Sequence, residues 1–118
     1  MTISPGKYDI TIYQGTTYNQ QLIWKDEGDT PIDLTGYTAR MMARTSVDVS
    51  TPFIDLTTEN SGIILGGSAG TVTLSMDDTA SSALPAVSGV YDLELIDGSG
   101  NVTRILQGNL IVSAEVTR

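Results

Sequence analysis

Arg40 and Arg44 stand two residues either side of Met42 in PIDLTGYTARMMAR, residues 31–44, a spacing that could put two guanidinium groups on one surface. Read with period two, Thr38, Arg40, Met42 and Arg44 share one strand face, and Tyr37, Ala39, Met41 and Ala43 share the other. Read as a helix, the segment would gather only Tyr37, Met41 and Arg44 into a stripe, too thin an apolar face to bury. Gly36 caps no helix at its start, and Asp48, Ser50 and Pro52 close the segment soon after. The strand reading is the stronger. Two fixed cations on an otherwise acidic chain suit an acidic partner surface, or else pairing with carboxylates of the same chain.

Catalytic chemistry has little to work with. The chain has neither His nor Cys, so it lacks an imidazole base, a thiolate, the usual zinc ligands and any Ser-His-Asp arrangement. Asp77 and Asp78 are adjacent carboxylates, but at the head of DDTASSAL (77–84) one or the other reads as a helix cap. Asp92 and Glu94 alternate outward on a strand, where solvation accounts for them. DGSGN (97–101) has oxygen donors at alternate positions, yet lacks the six to eight ligands that calcium takes. GGSAG (66–70) has no Lys and opens no helix, so it is not a phosphate loop. The sequence predicts no enzyme, no metal and no cofactor.

The chain's 118 residues carry a formal net charge of −8. Such a field opposes contact with phosphate backbones, and the six basic residues form no run, so nucleic acid is not an expected partner. The acidic side of a protein contact is instead suggested by Asp26, Glu27 and Asp29, which crowd the exposed loop KDEGDTP (25–31). The aromatic residues Tyr18, Trp24 and Tyr37 read either as core or as part of a contact patch. A carbohydrate- or receptor-binding module would need Trp24, or Tyr13 with its neighbouring tyrosines, open to water.

These side chains need elements to hold them. YDITIY (8–13) alternates with Tyr8, Ile10 and Ile12 on one side, and Gln14 with Gly15 turns the chain. YNQQLIW (18–24) puts Tyr18, Gln20, Leu22 and Trp24 on one face; Asp33 and Gly36 then form a turn into the Arg40 strand. PFIDLTT, Ile63 to Leu65 and TVTLSM read as further strands. A hairpin over residues 89–113 turns at Gly98 and Gly100, with Gly108 marking a bulge or bend. About seven to eight short strands with one short helical segment make a single all-β domain over residues 1–118, an antiparallel sandwich or partly closed barrel. Residues 1–13 lack the basic start and apolar run of a signal peptide, and no apolar run approaches the roughly 20 residues that span a bilayer. No membrane contact is expected, and synthesis is expected in the cytoplasm.

Residues 8–44 resemble the opening of small bacteriophage tail and baseplate proteins, in particular the N-terminal domain of the baseplate upper protein of siphophages that infect Gram-positive hosts. The likeness rests on the Gln14–Gly15 turn after an early strand, the acidic loop, the turn from Pro31 to Gly36, and the strand carrying Arg40 and Arg44. YDLELIDGSGNVTRILQGNLIVS (91–113) looks like the family's closing hairpin. The resemblance implies an Ig-like antiparallel β-sandwich in multiple copies in a symmetric virion assembly, docked to a tail, baseplate or head-tail connector ring. It implies no catalytic residue. The stalk and receptor-binding attachment of the longer proteins have no counterpart here, so an adaptor or accessory role in tail, baseplate or neck is the expectation. A decoration protein on the capsid is the variant of that reading.

Overall fold

The computed structural model describes residues 6–26 and 28–117. Alternation of β-branched and polar residues resolves into nine strands among them: β1 (Gly6–Lys7), β2 (Ile10–Tyr13), β3 (Tyr18–Ile23), β4 (Thr38–Arg44), β5 (Ile54–Thr57), β6 (Ile63–Leu65), β7 (Thr71–Met76), β8 (Ser88–Ile96) and β9 (Val102–Ser113). One short helix, α1 (Asp78–Ser82), and a 3-10 turn at Gly67–Ala69 complete the set. The strands form two sheets. Sheet A has the order β1-β9-β8-β4-β5 with β2 also on β9; sheet B has the order β3-β7-β6. The chain is an all-β, Ig-like sandwich.

The core follows from the period of two. Ala39, Met41 and Ala43 of β4 are buried while Thr38 and Arg40 are exposed, which settles the strand reading of residues 37–44. Leu93 and Leu95 of β8 face the same interior, met from sheet B by Val72 and Leu74, all without accessible surface. Each such side chain contributes roughly 1.5–3 kcal/mol by leaving water. The buried residues join in one cluster that draws on both sheets.

Turn chemistry behaves as its residue types require. Asp33 accepts from the Thr35 amide at 3.0 Å and hydroxyl at 2.6 Å, and Gly36 takes a φ of 84°. Gly15 and Gly100 are left-handed too, at 80° and 88°, and Gly98 lies in the turn of the β8–β9 hairpin. Asp77, not Asp78, caps α1, accepting from the Ala80 amide at 2.7 Å.

Several expectations need correction. Beyond its antiparallel pairs, sheet A takes in β1 and β2 parallel to β9, so the N-terminal strands close against the C-terminal one. The first strand is broken at Tyr8 and Asp9, which leaves Tyr8 exposed rather than facing inward with Ile10. The bulge in β9 lies at Ile105, since Leu93 pairs Leu106 while Glu94 pairs Arg104. Gly108 has a different task. A Cβ there would stand 2.3 Å from the Tyr8 carbonyl oxygen, so the bare glycine lets the broken N-terminal strand lie against β9.

Candidate protein-docking face

The outer face of sheet A is read off the strand register. One row across it runs Thr57, Arg40, Glu94, Arg104; the next runs Asp55, Met42, Asp92, Gln107, Lys7; a third runs Arg44, Val90, Asn109. Lys7, Arg40, Arg44 and Arg104, four of the six basic residues of the chain, therefore share a face with Asp55, Asp92 and Glu94, and Asp9 lines the groove beside Lys7 as a fourth carboxylate. That face is neutral, and the full charge of −8 is carried by the other ten acidic and two basic residues.

Within this face lies an open groove of about 500 Å³. Its floor is β8 and β9 at Val90, Asp92, Gln107 and Asn109; one wall is Met42, Arg44 and Val47, the other Lys7 and Asp9 at the break in the N-terminal strand. Val47 projects from the β4–β5 loop and is 82% exposed. Each groove carboxylate already has a partner: Asp92 lies 3.4 Å from Arg104, and Asp9 accepts from the Asn109 amide at 3.0 Å. Lys7 and Arg44 have no carboxylate within salt-bridge distance among the described residues. The only hydrogen bond of the Arg44 guanidinium there is a weak one to the Met42 sulfur at 3.6 Å. Two cations thus line an open concavity without a salt-bridge partner among the described residues, alongside Asp9 and Asp92. A shallower depression of about 390 Å³ shares Val90 and Asn109 with the groove and continues it to Ile111, which is 46% exposed. Together they make a trough that runs from Lys7, Arg44 and Val47 to Ile111.

The structure sorts the expected site residues. Arg44 lines the groove. Arg40, on the same face, is occupied by Glu94 at 2.8 Å, so Asp92 and Glu94 are ion-pair partners rather than simply solvated. The acidic loop makes no ion pair with the arginines among the described residues: it springs from the end of β3, where Trp24 bonds Gly70 and Ile32, while Arg40 pairs with Glu94. In that loop Asp26 accepts from the Gly28 and Thr30 amides at 2.9 and 3.0 Å, and Asp29 lies 3.4 Å from Lys25. Glu27 lies outside the described residues. Gln14 does more than turn the chain, since its side chain donates to the Leu84 carbonyl at 2.8 Å and accepts from the Glu115 amide at 3.0 Å.

Sequence reasoning missed Lys7, Arg104 and Val47 as neighbours of Arg44. Strict alternation sets Arg104 on the face of Leu106, inside; the extra residue Ile105 turns Arg104 outward. Lys7 arrives through the parallel pairing of β1 with β9, which no local period encodes.

The aromatic residues divide between core and surface. Trp24, Tyr18 and Tyr37 are partly buried against the core. Burial, with Tyr8 nearby, pushes the Tyr18 phenol up to about 12. Burial likewise raises Tyr91, whose hydroxyl donates to the Tyr8 carbonyl. Tyr91 is the only aromatic residue lining the groove, and it is 4% exposed, so no ring offers a stacking platform there. Tyr13 is 59% exposed on the N-terminal strand. Among the described residues no three carboxylates come together as a metal site, and no helix is long and apolar enough to cross a membrane. No family model matches this sequence, and no curated protein matches it.

Proposed function

We propose that this chain is a non-enzymatic structural component of a bacteriophage virion, an adaptor or accessory in the tail, baseplate or neck. It works by docking protein against protein through the outer face of sheet A. The observation that carries the docking reading is the trough, in which Lys7 and Arg44 line an open concavity with no salt-bridge partner among the described residues, on a chain of net charge −8. Acidic partner groups pair with these cations, and the exposed Val47 beside Arg44 and Ile111 further along the trough supply burial. The virion assignment rests on the resemblance of residues 8–44 to the baseplate upper protein's N-terminal domain. A capsid decoration protein would use the same face on a different lattice. The chain would be made in the host cytoplasm and end in the particle, beside a connector or baseplate ring.

The test is made on particles. Gradient-purified virions from the producing cells should contain the chain in fixed stoichiometry, and gold-labelled antibody should mark the tail or neck. Its absence from the particles contradicts the virion assignment; label over the head moves the chain to capsid decoration. A glycan-array signal lost on Tyr13→Ala would favour the receptor-binding alternative instead.

A further inference from the structure

The geometry points to a second copy of this chain as the occupant of the trough, entered by the acidic finger at residues 25–31. This rests on the docking-face reading above and names its partner. Both halves of the contact are present in one molecule but far apart. The finger springs from the end of β3 in sheet B, where the Trp24 amide bonds Gly70 and the Ile32 amide bonds Trp24, whereas the groove lies on the outer face of sheet A at the far end of β4, whose six steps at roughly 3.3 Å span about 20 Å. In one copy the two sit on different sheets, so the finger meets a groove by reaching a neighbour.

The described residues of the finger are braced among themselves. Lys25 bridges Pro31, the Asp26 amide donates to the Thr30 carbonyl at 2.9 Å, and the Asp26 carboxylate holds two amides of the tip. A braced loop loses little conformational freedom on docking. Asp29 is exposed, and its bond to Lys25 crosses open solvent, where such pairs are weak and exchangeable. The cations meeting it, Lys7 and Arg44, are those that sheet A leaves without carboxylates. A contact between unlike surfaces is heterologous, so copies add head to tail and close into a ring or continue as a filament.

Sedimentation velocity on the purified full chain tests this without any other virion protein. The wild-type chain should associate beyond dimers at low ionic strength and dissociate in about 1 M salt, where the Debye length falls to about 3 Å. Lys7→Gln with Arg44→Gln should weaken association about tenfold or more, as should Asp26→Asn with Asp29→Asn, since the amide oxygen at position 26 still accepts the two turn hydrogen bonds. Circular dichroism should show the same strand spectrum in both variants. Mixing them should restore dimers and nothing larger, because the first still has a finger and the second still has a groove. A wild-type chain that stays monomeric at low salt overturns the inference. So does association indifferent to salt, or to the groove substitutions. A monomer that is nonetheless found on particles overturns the self-contact alone and leaves the docking face to a different protein.

Discussion

Replacing Gly108 by Ala should be far more damaging than its one added methyl group suggests. The new Cβ would stand 2.3 Å from the Tyr8 carbonyl oxygen and 2.9 Å from its carbon, and both are backbone atoms that no rotamer change can move. Overpacking of this kind costs about 1–3 kcal/mol. Relief by lifting Tyr8 away would break the hydrogen bond from its amide to the Gln107 carbonyl at 3.0 Å and the one its carbonyl accepts from the Tyr91 hydroxyl, each worth about 1 kcal/mol. The expected loss is about 2–4 kcal/mol, or about 8–16 °C in Tm at roughly 4 °C per kcal/mol. Gly6→Ala is the internal control: on the same pair of strands its Cβ meets nothing nearer than the Leu106 side chain at 3.6 Å. It should stay within about 0.5 kcal/mol of wild type. Urea unfolding followed by Trp24 fluorescence, with a thermal melt, reads both variants. Equal effects of the two, or a Gly108→Ala variant as stable as wild type, would refute the close-approach reasoning.

Gln14→Ala removes both hydrogen bonds that tie the chain to the end of α1 and to Glu115, and should cost about 1–3 kcal/mol in urea unfolding. The Arg40–Glu94 pair, partly open to water, should give a coupling energy of no more than about 1 kcal/mol in a double-mutant cycle, shrinking with added salt. Asp33 and Asp97 are held below the usual carboxylate range, first by the Thr35 hydroxyl and the Asn101 side chain respectively, then by turn amides. Their folded pKa values are depressed, so the stability they contribute is present above about 3.8, the unfolded value, and is lost as pH falls through the folded one. Asp97→Asn should therefore be less stable than wild type at neutral pH, with the gap closing in unfolding curves taken below that value.

What could be read from the sequence was local. The faces of β4 and β7, the bounds of β6, the cap on α1 and the Asp33–Gly36 turn all follow from side-chain period and turn chemistry within a few residues. The docking face did not follow, because it is made by non-local pairing. Arg44 and Lys7 are 37 positions apart in the chain and share a groove only because β4 pairs β8, β8 pairs β9, and β9 pairs β1. The bulge at Ile105 compounds this, since one inserted residue exchanges the faces of everything before it. Gly108 was conspicuous as a glycine within a strand, yet a bulge and a close backbone approach call for the same residue. Only the position of Tyr8 tells them apart.

The proposed working surface of this sandwich is the outer face of sheet A. Hydroxyl-radical and lysine- or arginine-specific footprinting of the chain in its assembled state, compared with the isolated chain, tests that directly. Protection should fall on Lys7, Arg44, Val47 and Ile111, while Ile23 and Ile64, exposed on the outer face of sheet B, should react as in isolation. Protection of Ile23 and Ile64 with Lys7 and Arg44 unchanged would contradict the account.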